Sequence, residues 1–224
     1  MSVRPREPGN PVDATATGPY TFRMNTAPHW TAPTGTTGLI FDCDGTLADT
    51  MPIHYRAWTA MLGRHGIPFP EPRFYAMGGM PTASIIRILA GEVGVEVADM
   101  DALVHEKEQS FLTFLDAVTA IEPVLAIAAA YRGKLPVAVA SGGYRDTITR
   151  TLDRINVRDW FDAIVTAEDT TRHKPDPDVF LEAARRLNVT ATGCVVFEDT
   201  DIGLEAARRA GMFGVDVRPW VQRG

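Results

Sequence analysis

A chain of 224 residues, 45% hydrophobic and 22% charged, can bury a full core and is sized for one domain or a domain with an insert. Its formal net charge of −6, with no long run of one sign, argues against a nucleic-acid partner, which needs a clustered basic face. No apolar run reaches membrane-spanning length, and two isolated cysteines, Cys43 and Cys194, make neither a zinc pattern nor a disulfide framework, so a cytoplasmic protein without a membrane partner is expected.

Residues 1–36 are rich in Pro, Thr, Gly and Ala and have little apolar periodicity. Such a segment buries too little surface to offset its ordering entropy, which predicts a disordered or loosely docked tail. Tyr20, Phe22 and Trp30 are the aromatics able to anchor it. The first strand is expected at Gly38-Leu39-Ile40-Phe41, ending at Asp42. Helical patterns follow at Pro52 to His65, Ser84 to Leu89 and Met100 to Val118, with no strand pattern among them. So long a crossover is unusual and reads better as a helical cap seated over the strand ends. Within it, His105-Glu106-Lys107-Glu108-Gln109 lacks the second histidine of a zinc helix and is read as a solvated helical face.

Beyond the insert, strands are expected at Val137–Ala140 before Ser141, Ala163–Val165 before Thr166, Val195–Phe197 before Glu198-Asp199, and Gly214–Val217. Runs that are apolar on both faces suit buried parallel strands. Helical stripes separate them: Ile148, Leu152 and Ile155; Phe180, Ala183, Ala184 and Leu187; Ile202, Ala206 and Ala210. The alternation predicts an α/β fold with a doubly wound parallel sheet. The expected division is a tail over 1–36, a core over 37–51 and 120–224, and an α-helical cap over 52–119. Ligands of such sheets lie beyond the carboxyl ends of the strands, and Asp42, Ser141, Thr166 and Asp199 all fall at that edge.

Asp42 and Asp44 stand two apart in an extended turn. One carboxylate can face a bound metal and a phosphorus atom while the next handles protons. Gly45 allows a tight turn, and Thr46 offers a hydroxyl and a backbone N–H to phosphate. With the apolar strand before them and Gly45-Thr46-Leu47 after them, the pair marks a phosphotransfer site.

The stretch Asp42-Cys43-Asp44-Gly45-Thr46-Leu47-Ala48-Asp49-Thr50 resembles the first motif of the haloacid dehalogenase superfamily of phosphatases and phosphomutases. Ser141, Lys174 in His173-Lys174-Pro175-Asp176-Pro177, and Glu198-Asp199 in Phe197-Glu198-Asp199-Thr200-Asp201-Ile202-Gly203 resemble its other motifs, in order, over roughly residues 37 to 220. The insert resembles the cap of the β-phosphoglucomutase-like group. The second half is similar to bacterial fructose-1-phosphate-type sugar phosphatases.

The resemblance implies a Rossmann-like core and an aspartyl-phosphate mechanism. Asp42 would be the nucleophile and Asp44 the acid/base. Thr46, Ser141, Gly142 and Lys174 would bind phosphate. Asp42, the Asp44 carbonyl, Asp199 and Glu198 would hold Mg²⁺, an oxygen-only site suited to that hard cation. His54, Trp58, Gly79 and Thr82 are the expected cap contacts to substrate. The sugar-phosphate mutases carry an arginine in the cap loop where this chain has Thr82, which favours a phosphatase over a β-phosphoglucomutase-type mutase. A non-catalytic binding module would show a broken motif, and none is broken. The expected partner is a small phosphorylated metabolite, and the chain is expected to be a monomer or a weak homo-oligomer.

Overall fold

The computed structural model describes residues 21–22 and 30–221. The expectation for the tail lies mostly outside them. Its elements, in chain order, begin with β1 (Thr21–Phe22), β2 (Gly38–Phe41) and β3 (Ala48–Asp49). Four helices follow: α1 (Met51–Arg64), α2 (Glu71–Ala76), α3 (Thr82–Val93) and α4 (Met100–Leu112). Then come β4 (Thr119–Ala120), α5 (Glu122–Tyr131), β5 (Val137–Ala140), α6 (Arg145–Arg154) and β6 (Ala163–Val165). The chain closes with α7 (Asp178–Arg186), β7 (Cys194–Glu198), α8 (Asp201–Arg209) and β8 (Phe213–Asp216). Among the described residues no helix is long and apolar enough to cross a membrane.

Six strands form one parallel sheet in the order β1-β8-β7-β2-β5-β6. The doubly wound α/β expectation holds. Side chains alternate between two apolar layers, as the period of a strand requires. Leu39, Phe41, Val139 and Phe197 face α5, α6 and Trp30, while Ile40, Ala138, Ala140 and Val196 face α7 and α8. Phe41 stacks on Phe197 with centroids 4.6 Å apart, and both are fully buried. Small Ala138 and Ala140 let α7 approach β5 closely. Trp30 is buried, edge-on to Tyr131 and Phe197.

The insert differs from expectation in three details. Its two ends are joined by an antiparallel pair, Ala48 to Ala120 and Asp49 to Thr119. Residues 71–76 add a short helix. The helix from Met100 stops at Leu112 rather than Val118, and Leu115–Ala117 continues as a 3₁₀ turn. The insert has its own apolar cluster around Trp58, Met61, Phe74, Ile86 and Leu89.

Candidate active site

The strand order decides what meets Asp42. β2 lies between β7 and β5, so groups from both neighbours converge on its carboxyl end. The Asp42 N–H donates to the Phe197 carbonyl at 3.0 Å and the Ser141 N–H to the Val165 carbonyl at 3.0 Å, which holds these chain ends in register. Beyond Phe41 the chain turns back on itself. The N–H groups of Thr46, Leu47 and Ala48 all donate to the Cys43 carbonyl. Gly45 has φ +78, and a Cβ there would stand 2.3 Å from Asp199 Oδ2, so only glycine fits this turn without displacing the carboxylate.

Asp42, Lys174, Glu198 and Asp199 form one buried cluster. Lys174 Nζ donates to Asp42 Oδ1 at 2.7 Å and to Glu198 Oε2 at 2.9 Å. Glu198 Oε1 accepts from the Thr200 N–H at 3.0 Å. Asp42, Glu198 and Asp199 each bring a carboxylate oxygen to within 4.8 Å of the others. Burial, and then the neighbouring carboxylates, push Asp42 well above the usual carboxylate range, with Lys174 opposing. Burial and Glu198 push Asp199 up to about 8. Burial alone would lower the Lys174 ammonium, but the Asp42 and Glu198 charges raise it. One lysine facing three buried carboxylates leaves negative charge uncompensated. An all-oxygen donor set with that deficit suits a hard divalent cation such as Mg²⁺.

Thr46 is placed differently from expectation. Its hydroxyl donates to Asp199 Oδ1 at 3.2 Å, and its N–H is used within the turn. It orients Asp199 instead of facing the cleft. Ser141 is buried, and its Oγ accepts from the Gly143 N–H at 3.0 Å.

Asp44 is served by the helix that leaves the turn. Thr50 Oγ1 donates to Asp44 Oδ1 at 2.8 Å, and His54 Nε2 lies 3.1 Å from the same oxygen. On the other side of the ring, His54 Nδ1 lies 3.1 Å from Lys107 Nζ. An ammonium only donates, so Nδ1 accepts and Nε2 carries the proton toward Asp44. Phe111 stacks on the ring at 4.2 Å. Burial alone would raise Asp44, yet the electrostatic influence and hydrogen bond of His54, with the Thr50 hydrogen bond and the Lys107 charge, hold it below the ordinary carboxylate value.

Lys107 corrects the reading of residues 105–109 as a solvated face. It is buried, because it falls on the same stripe of α4 as Leu103, Val104 and Phe111. Its Nζ also donates to Glu108 Oε1 at 2.9 Å, and Glu108 Oε2 accepts from Thr147 Oγ1 of α6 at 2.8 Å. The helical insert thus reaches the core through a chain of polar contacts running from Asp44 to Thr147. A lysine on an apolar helical stripe is the signal that points to it. By contrast, Glu106 pairs with Arg64 and His65 at the surface.

These groups open on one cleft between the strand ends and the insert. Asp42, Asp44, Ser141, Gly142, Lys174 and Glu198 line its floor, and His54, Trp58, Gly79, Thr82, Lys107 and Glu108 are among its upper walls. All four expected cap contacts are therefore in the cleft. Such an arrangement can hold a phosphate ester with its phosphorus at Asp42 and its alcohol oxygen toward Asp44.

Known proteins resemble this chain over most of its length. The profile of the haloacid dehalogenase-like hydrolases matches residues 39–217. A fructose-1-phosphate phosphatase of Escherichia coli is 40% identical over 184 residues, 81% of this chain and 96% of that protein. A phosphorylated carbohydrates phosphatase of Thermotoga maritima is 32% identical over 177 residues, 78% of this chain and 81% of that protein. The crystal structure of β-phosphoglucomutase from Clostridium difficile superposes with a TM-score of 0.73 at 22% identity, covering 81% of this chain and 84% of that one, which shows a shared fold.

Proposed function

Because the chain belongs to the haloacid dehalogenase-like hydrolases, we propose that it is a Mg²⁺-dependent phosphatase that hydrolyses a small sugar phosphate through an aspartyl-phosphate on Asp42. The observation that carries this reading is the buried Asp42–Lys174–Glu198 contact beside Asp199 at the end of the central strand. The relatives named for phosphatase activity on fructose 1-phosphate and on phosphorylated carbohydrates support the substrate class.

Asp42 Oδ attacks phosphorus, and the bond to the sugar oxygen breaks in line. Lys174 and the Ser141–Gly142 segment meet the phosphoryl oxygens as charge redistributes over them. Asp42, the Asp44 carbonyl and Asp199, with Glu198 beside them, would hold Mg²⁺, which would supply positive charge to offset the repulsion between carboxylate and phosphate. Asp44 in its protonated form gives a proton to the departing sugar oxygen, and the resulting carboxylate, the form that His54 and Thr50 favour, takes one from the water that cleaves the aspartyl-phosphate. His54 holds Asp44 in line for both transfers. Thr82, in place of a cap arginine, leaves no obvious grip for a second phosphate and so favours water over a phosphorylated sugar as acceptor.

The test is phosphate release from a panel of sugar phosphates with Mg²⁺. Release should fall on the order of 10⁴-fold or more in Asp42→Asn. No release from any panel member, or an active Asp42→Asn variant, would overturn the reading. Faster conversion of β-glucose 1-phosphate to glucose 6-phosphate than release of phosphate would instead establish the mutase.

A further inference from the structure

Among the described residues two ammonium groups line the cleft, and both are already paired. Lys174, at the phosphorus end, lies against Asp42 and Glu198. Lys107, on the wall supplied by the insert, lies against Glu108 and His54. Among the described residues no arginine lines the cleft. The remaining wall of the insert is largely apolar, from Met51, Trp58, Phe74, Met77, Met80 and Ile85.

Glu108 is the one carboxylate that the insert contributes to this lining. It is held from both sides, by Lys107 at 2.9 Å and by Thr147 at 2.8 Å, with only 13% of its side chain exposed. A phosphate binds tightly where charge-assisted donors are free to meet it. Here a second phosphate would meet a fixed carboxylate and a lysine that carboxylate already neutralises. Sugar hydroxyls face no such conflict, since they can donate to Glu108. Specificity of this kind comes from a built-in repulsive element as much as from attraction.

We propose that the cleft selects phosphomonoesters whose remainder is uncharged, and that Glu108 is the residue that discriminates against a second phosphate. The proposal rests on the phosphatase reading of the same site. It goes beyond it by assigning the alcohol side of the cleft a charge rule and a residue that enforces it.

The experiment measures kcat/KM for phosphate release by the full chain with Mg²⁺, using matched pairs: fructose 1-phosphate against fructose 1,6-bisphosphate, and glucose 1-phosphate against glucose 1,6-bisphosphate. The monophosphate should be preferred by about tenfold or more, the scale of one unfavourable charge contact in a partly buried cleft. Glu108→Gln frees the Lys107 charge and should narrow the preference by about tenfold. Lys107→Met leaves Glu108 unopposed and should widen it. A structural role alone would lower both members of a pair by one factor and leave the ratio in place. That result overturns the proposal, as does a wild-type ratio near one. If Glu108→Gln fails to fold, the wild-type ratio and Lys107→Met still decide. Failure of the phosphatase reading looks different, because no member of either pair would then release phosphate.

Discussion

His54 Nε2 lies 3.1 Å from Asp44 Oδ1, and Phe111 stacks on the face of the ring. The contact joins the first helix of the insert to the group proposed to move protons. Because Lys107 takes Nδ1, the ring cannot offer its other tautomer to Asp44. His54→Ala should therefore lower kcat by roughly 10- to 100-fold, less than loss of an acid/base group itself. KM should change little. An unchanged kcat would show that Thr50 suffices to orient Asp44.

The acidic cluster predicts how metal and pH act together. The folded chain holds Asp42 well above its ordinary value and Asp199 at about 8, against 3.8 for a free aspartate. The folded state then binds more protons than the unfolded one between about pH 4 and 8, so metal-free stability should fall as pH rises across that window. Added Mg²⁺ competes with those protons. The rise in melting temperature on adding Mg²⁺ should be larger at pH 8 than at pH 5, by several degrees at saturating ion, roughly 2–4 °C per kcal/mol for a chain of this size. Calorimetry with equal shifts at both pH values would contradict it.

Asp169 makes the opposite kind of contribution. Burial alone would raise its carboxyl, but hydrogen bonds from Arg186, Thr166 and Arg145 hold it at about 2, from 3.8. It ties the end of β6 to α6 and α7, beside the turn where Ala167 donates to the Gly143 carbonyl. Its stabilisation is full above the unfolded value and is lost as pH falls through the folded one. Asp169→Asn should cost roughly 1–2 kcal/mol at neutral pH, and the deficit should shrink to less than half of that as pH falls toward 2. Denaturant midpoints at pH 7 and pH 2.5 would show whether the deficit narrows.

Gly79 has φ +80 and lies against the first turn of α8, where a Cβ would stand 2.7 Å from Ile202 Cδ1. The methyl end of Ile202 can yield, but the left-handed backbone costs any other residue about 1–2 kcal/mol. Gly79→Ala should lower kcat/KM by roughly tenfold, mainly through KM, since the cleft wall is shifted and not the acid pair. A loss confined to kcat would argue against that placement.

Five sheet strands were legible because a strand buried on both faces is an unbroken apolar run, as in Leu39-Ile40-Phe41. The two-residue strands β1, β3 and β4 are too short to carry any period, and α5 is so uniformly apolar that it has no face to read. Asp42, Ser141, Lys174 and Asp199 could be assigned to the site from their positions in or after such runs and from the motif they resemble. Lys107 and Glu108 were passed over, although Lys107 falls on the apolar stripe of α4. Charged residues in series imply solvent, and only the packing of α4 on α1 turns them inward. Thr46 was legible as a site residue but not as a partner of Asp199, because that contact spans 153 positions of chain.

The pairing of Ala48–Asp49 with Thr119–Ala120 means that the helical insert leaves the core and returns to it at one place. The entropy of closing a loop grows only with the logarithm of its length, about 0.6 kcal/mol per doubling. A core that grips its insert at so narrow a base is nearly indifferent to how much chain hangs from it. Selection can therefore lengthen, shorten or exchange the segment that chooses the substrate while the sheet beneath keeps its stability, and a grafted insert should be tolerated if these four residues remain paired.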